Sequence, residues 1–348
     1  GGGREVVCEL YRRIHTLALL TAGRLVGGSM DTIVPLEGGG VSLPDHEGMV
    51  FALAELPGGR QLAAGVWIAP YLGAIVVWDT GAASGVRPRR GRTITLGSGV
   101  HSLAGLRDGR LSAGCDNGKV VVVDYSGSAA SVALGDTTQH TRAVRALVVL
   151  PGGILASGSS DATVLLWDVG ARVCIGALSG HTAAVTALAV LPDGTTLASG
   201  SDDGTLRLWD VATRSSVVLT GHASGVTSLA VLPDSRLASG FADGTVRVWD
   251  TRPAALAAGA TGDKLELGRE AGGVALAVLH DGPLAIARWC GGGGHPRLSR
   301  HAQLSRLLPT PLQRRQQLQL QQRRRRSTLV NYIRPFCLNC LASYCCHA

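Results

Sequence analysis

The stretch Gly180–Asp210, GHTAAVTALAVLPDGTTLASGSDDGTLRLWD, is written into this chain more than once, and that repetition limits its fold more than any other feature. It holds three short apolar runs, Val185–Leu191, Thr196–Gly200 and Thr205–Trp209. Pro192-Asp193-Gly194 divides the first two, and Asp202-Asp203-Gly204 divides the last two. Runs of this length, rich in β-branched residues and punctuated by Gly and Asp, predict strands joined by tight hairpins. Gly221–Asp250, GHASGVTSLAVLPDSRLASGFADGTVRVWD, matches almost position for position. His140–Asp168, HTRAVRALVVLPGGILASGSSDATVLLWD, is a third copy. The closing tryptophans Trp167, Trp209 and Trp249 stand 42 and 40 residues apart.

A Gly-His opening, a Trp-Asp close and a period of about 40–45 residues resemble the WD40 repeat. The resemblance implies that each unit supplies most of one four-stranded blade of a β-propeller, a ring that hides nearly all sheet edges. It also implies a hydrogen-bonded tetrad locking each blade. The matching sets are His140, Ser157, Asp161 and Trp167; His181, Ser199, Asp203 and Trp209; and His222, Ser239, Asp243 and Trp249. An indole N–H can only donate, so a buried Trp needs an acceptor such as the Ser hydroxyl. A Ser/His/Asp trio also invites a hydrolase reading. Its threefold recurrence beside a Trp, with no GxSxG elbow, favours structure instead, and no catalytic residue is expected.

Weaker copies surround the good ones. Ile14–Glu37 is degenerate: Arg24–Gly28 aligns with Arg236–Gly240, but Leu36-Glu37 stands where Trp-Asp would be. His46–Asp79 closes with Trp78-Asp79, yet Ala64 takes the Ser position and Val66–Gly73, VWIAPYLG, replaces the short Asp-Gly turn. Trp67 and Tyr71 in that segment belong either to an irregular loop over their own blade or to an aromatic contact patch, since aromatics are enriched at binding hot spots. Val100–Asp124 keeps Asp116-Asn117-Gly118 but lacks the His and the Trp. Repeat ends at 37, 79, 124, 168, 210 and 250 give steps of 42, 45, 44, 42 and 40. A seventh copy starts at Gly273–Ala287 and breaks off after Trp289-Cys290 in four glycines. Val6–Leu10 is expected to serve as the outermost strand of the last blade. The expected fold is therefore all-β: a seven-bladed WD40 β-propeller over residues 4–290 with an incomplete last blade, plus a disordered tail over 291–348.

Charge separates these parts. Residues 291–348 hold ten Arg and no acid, which leaves −2 of the chain's net +8 for residues 1–290. Gln313–Arg326, QRRQQLQLQQRRRR, is too polar to bury a core and reads as disordered. Arg323, Arg324, Arg325 and Arg326 are the one candidate nucleic-acid or nuclear-localisation patch. Cys337 and Cys340 have zinc-knuckle spacing, but the second pair, Cys345-Cys346, is adjacent, which is poor geometry for one ion. No metal or cofactor is expected. Cys8, Cys115 and Cys174 lie singly in or beside predicted strands and read as buried hydrophobes in a reducing compartment. That points to the cytoplasm, with the nucleus as the alternative carried by the Arg run. No apolar run reaches the roughly 18–20 residues that span a membrane.

Function in such a ring usually lies in its loops, which vary cheaply on a rigid scaffold. The top-face loops of the good repeats contribute Arg142, Thr182 and Ser224 after each His position, and Ser160, Asp202 and Phe241 before each turn Asp. Phe241 replaces the Ser159 and Ser201 of the sister repeats, so it is either an exposed anchor or a side chain buried against the next blade. The leading expectation is a non-catalytic scaffold or adaptor that binds proteins or peptides through the top face. The Leu-Pro-Asp-Gly hairpins are similar to those of ubiquitin-pathway WD40 receptors. The alternative is a chromatin- or RNA-associated factor that uses the Arg-rich tail.

Overall fold

In the computed structural model the described residues are 5–6, 14–20, 25–29, 33–35, 48–56, 59–69, 72–80, 89–125, 131–135, 138–221, 223–252, 256, 262–265, 274–278, 284–288 and 297–301. They form 27 strands in seven antiparallel sheets, within a compact unit that runs from Gly1 to His301. A two-residue strand, β1 (Glu5–Val6), comes first in the chain. It is followed by a three-stranded sheet of β2 (Ile14–Leu19), β3 (Leu25–Ser29) and β4 (Ile33–Pro35). The next sheet holds β5 (Met49–Glu55), β6 (Gln61–Ala69), β7 (Leu72–Asp79) and β8 (Arg89–Leu96). Then come β9 (Val100–Gly105), β10 (Leu111–Cys115), β11 (Val120–Val123) and β12 (Ser131–Ala133). The three good repeats give β13 (Val144–Val149) to β16 (Val173–Ser179), β17 (Val185–Val190) to β20 (Ser216–Leu219), and β21 (Val226–Val231) to β24 (Asp263–Leu265). Between their end strands lie β14 (Ile154–Ser159), β15 (Thr163–Asp168), β18 (Thr196–Ser201), β19 (Leu206–Asp210), β22 (Leu237–Phe241) and β23 (Val246–Trp249). The last sheet is β25 (Val274–Val278), β26 (Leu284–Arg288), β27 (Arg297–His301) and, outermost, β1.

The first strands of successive sheets pack side by side in chain order, and β25 packs back against β2. A glycine on the second strand makes six of these seven junctions possible. Gly28, Gly65, Gly114, Gly158, Gly200 and Gly240 each receive the first valine of the following sheet: Val50, Val100, Val144, Val185, Val226 and Val274. A methyl group on Gly200 would stand 2.4 Å from Val226 Cγ1, and one on Gly65 2.5 Å from Val100 Cγ1. All six valines are fully buried. The closing tryptophans extend the same packing, since Trp209 shares one apolar cluster with Leu150, Leu166 and Leu178 of the preceding sheet.

Two expectations change here. The last blade is not the incomplete one. Arg297–His301, expected to belong to the disordered tail, pairs along the whole of β26 from Leu284↔His301 to Arg288↔Arg297, and β1 then pairs β27 at Glu5↔Ser299 and Val6↔Leu298. A strand needs only backbone partners on its flank, so this one forms without a Trp-Asp signature. Among the described residues the three-stranded sheet is instead the first. The compact unit thus extends past 290 to His301, and residues 302–348, with the rest of the expected tail, lie outside the described residues. The second change concerns Val66–Gly73, which is no irregular loop. It is a lengthened hairpin in which Trp67 pairs with Gly73 and Ala69 with Leu72.

Candidate functional site

The tetrads form as continuous hydrogen-bond chains. Trp209 Nε1–H donates to Ser199 Oγ at 2.8 Å, Ser199 Oγ lies 2.8 Å from His181 Nε2, and His181 Nδ1 lies 2.9 Å from Asp203. The set on His140 repeats this, with Trp167 to Ser157 at 2.7 Å, Ser157 to His140 at 2.8 Å and His140 to Asp161 at 2.9 Å. In the third set Trp249 donates to Ser239 at 2.7 Å, and His222 lies outside the described residues. Burial pushes both His140 and His181 below the usual imidazole range and outweighs the carboxylate beside each. Neutral rings fit the chain, with Nδ1–H donating to the Asp and Nε2 accepting from the Ser hydroxyl.

Each Asp then ties the hairpin down. Burial alone would raise the Asp203 carboxyl. Hydrogen bonds from Thr205, from the Thr182 N–H and from His181 outweigh it and hold the group at about 2. Thr163 and Thr205 are members that the four-residue pattern missed. Their hydroxyls donate to Asp161 and Asp203 at 2.7 Å. The recurrence of Thr two residues after each turn Asp was the available signal. The Ser and His of the two described trios are thus engaged in the bonds that tie Trp to Asp.

Beside the tetrads, one end of the sheets carries the top-face hairpins. Backbone N–H groups of Asp116, Ser160, Asp202 and Ala242 donate to the carbonyls of Gly99, Ala143, Ala184 and Gly225, which fixes each hairpin to the start of its own inner strand. Trp67 holds the same register position in the second sheet, opposite Met49. Its ring centroid lies 5.9 Å from Phe51 and 5.8 Å from His101, and Phe51 and His101 are 5.0 Å apart. Gly99 leaves room for the indole, since a methyl there would meet Trp67 Cδ1 at 3.0 Å. On the lengthened hairpin Ile68 and Leu72 are 36% and 40% exposed. His101 Nε2 lies 2.9 Å from Asp116. Burial lowers the His101 pKa and, helped by the Arg145 charge, outweighs that carboxylate.

Away from this face, a cleft of about 470 Å³ opens between β12 and β16, lined by Val132, Ala133, Thr138, Arg172, Val173 and Cys174. Burial pushes the Cys115 thiol up to about 12, so it is an inert core group. Among the described residues no three His, Cys, Asp or Glu side chains gather to hold a metal ion. No helix among them is long and apolar enough to cross a membrane.

The WD40 family profile, described as WD domain, G-beta repeat, matches residues 133–168, 172–210 and 213–250. Residues 133–250 are WD40 repeats. No curated protein matches the chain. WD40 repeats generally build non-catalytic scaffolds that bind other proteins or peptides.

Within these WD40 repeats the expected contact residues separate into two groups. Arg142, Thr182 and Asp202 are exposed, while Ser160 and Ser224 are half-buried. Phe241 is 0% exposed and cannot meet a partner. It fills the place of Ser159 and Ser201, which are also fully buried and whose hydroxyls donate to the carbonyls of Arg142 and Ala183. In the sixth sheet Phe241 instead joins an apolar cluster with Leu237, Val226 and Trp249. Trp67 is half-buried at the mouth of the aromatic patch, and Tyr71 lies outside the described residues. Sequence reasoning missed Phe51, His101 and Arg145. All three follow the buried first valine of an inner strand, at the residue where a β-bulge breaks the pairing register.

Proposed function

We propose that the seven sheets close into a seven-bladed propeller and that the chain is a non-catalytic adaptor holding a protein or peptide on its top face. The seven-sheet order and the packing of β25 on β2 support the ring. The patch of Phe51, Trp67, His101, Ile68 and Leu72 carries the binding reading. It is built by the one described hairpin longer than its counterparts, and it puts apolar side chains where the sister repeats put Ser160 and Asp202. Val173, Ile175, Val217 and Val218 on β16 and β20 are also exposed, but among the described residues Ile68 and Leu72 are the exposed pair on the hairpin of an aromatic cluster. A role as substrate receptor in a ubiquitin-type assembly rests on the sequence resemblance alone, a nuclear role on the Arg323–Arg326 run, and a cytoplasmic location on the lone cysteines.

The test is affinity capture from native extract with the full chain and a Trp67→Asp variant, each confirmed folded by circular dichroism, with and without nuclease. Partners lost with Trp67→Asp and indifferent to nuclease support the top-face adaptor and name its pathway. Partners kept by the variant, or lost on nuclease treatment, overturn it.

A further inference from the structure

Two chemically different halves of the top face meet at His101. One half is the ring patch of Phe51 and Trp67 with Ile68 and Leu72 on the hairpin beyond. The other is Arg145, exposed at the bulge of β13. Its Nε donates to Ser160 Oγ at 2.9 Å, which fixes the guanidinium plane. Among the described residues its terminal amines have no hydrogen bond and no carboxylate within 4.0 Å. Its charge is nonetheless felt by His101 on one side and by Asp202 on the other.

The neighbouring charges are mixed, but the carboxylates among them have other partners. Arg142 and Lys119 are exposed, and the Gly118 turn lies against the His140 carbonyl. Of the carboxylates nearby, Asp161 and Asp203 are taken up by His and Thr partners and one oxygen of Asp116 is held by His101, so none is paired with Arg145. A guanidinium anchored at Nε offers its two terminal amines as a fork, which suits a carboxylate. We propose that the occupant of the top face is an extended peptide with an apolar side chain and, a few residues along, an aspartate or glutamate. The apolar side chain packs on Phe51, Trp67 and Leu72, and the carboxylate docks on the Arg145 fork. This rests on the top-face reading above and adds the chemistry of the partner.

The test uses two fluorescein-labelled peptide pools with one fixed leucine. One pool has glutamate at each of the next few positions, and the other has glutamine there. Fluorescence anisotropy with the full chain is expected to show the glutamate pool binding about tenfold tighter, with the preference shrinking as salt is raised. Arg145→Gln, an exposed substitution, is expected to erase the preference, while Trp67→Ala weakens both pools alike. A preference that survives Arg145→Gln, equal binding of the two pools, or no binding by either overturns the proposal. Binding lost in Trp67→Ala but indifferent to glutamate overturns the acidic partner alone. Binding indifferent to both variants overturns the top-face reading as well.

Discussion

Ser199→Ala probes whether the tetrads hold the blades together. Ser199 is fully buried, and its hydroxyl both accepts the Trp209 indole N–H and bonds His181 Nε2. Alanine removes one oxygen and leaves both groups without a partner. Trp209 is 2% exposed, so water cannot replace the lost acceptor. Leaving a buried polar group unpaired costs about 1–3 kcal/mol. The two groups share one hydroxyl and relax together, so the expected loss is roughly 2–4 kcal/mol rather than a full double penalty. Trp209→Phe removes the donor itself at a cost in packing. If the hydrogen bond is the cause, the double variant is less destabilised than the two singles combined, by about 1–2 kcal/mol. Urea unfolding followed by far-UV circular dichroism, on the wild type and the three variants, gives the cycle. A Ser199→Ala loss below about 0.5 kcal/mol, or singles that add to within about 0.5 kcal/mol, would refute the argument.

Three further outcomes follow from the same geometry. Gly200→Ala drives a methyl into fully buried, β-branched Val226 and is expected to cost about 1–3 kcal/mol in urea unfolding; an unchanged midpoint would mean that the sheets can part at no cost. Phe241→Ser restores the sister residue into a cavity shaped for a ring and is expected to destabilise by about 3–5 kcal/mol, whereas a surface anchor would lose partners with no change in unfolding. Acid is expected to weaken the fold in two steps, because both kinds of group have depressed pKa values in the folded chain. His140 and His181 sit below 6.5, so the unfolded chain takes up protons first and stability falls as pH drops through that value. Asp161 and Asp203 sit below 3.8, Asp203 at about 2, so a second loss runs from pH 3.8 down to about 2. Urea midpoints that stay flat from neutral pH to about pH 4 would contradict the first step.

The interior of the blades was legible because repetition averages over accident. Three copies agreed on His, Ser, Asp and Trp, and hydrogen-bond chemistry then required those four to touch, as they do around His140 and His181. The inter-sheet contact of glycine on valine was written in the same copies, in the Ser-Gly of each second strand and the first Val of each inner strand. It passed unread because neither residue announces a partner 26 to 34 residues away. The last sheet was misjudged for the opposite reason. Backbone pairing of Arg297–His301 with β26 needs no particular side chain, so the absence of Trp-Asp carried no information about it.

The candidate binding face has a different logic again. Phe51, His101, Arg145, Thr186 and Thr227 share one position, the residue after the buried valine, and no two neighbours there are alike except the last pair. At that position packing demands nothing of the outward side chain, because the valine before it already fills the glycine notch. Thr186 and Thr227 use the freedom to bond the next sheet through the carbonyls of Val226 and Val274. Phe51 and His101 face each other and Trp67 instead, and His101 feels the Arg145 charge. The rigid repeat thus sets aside one variable residue per blade at the same end of the molecule. Three adjacent sheets of this chain have filled those places with two aromatic rings and a guanidinium that has no carboxylate partner among the described residues.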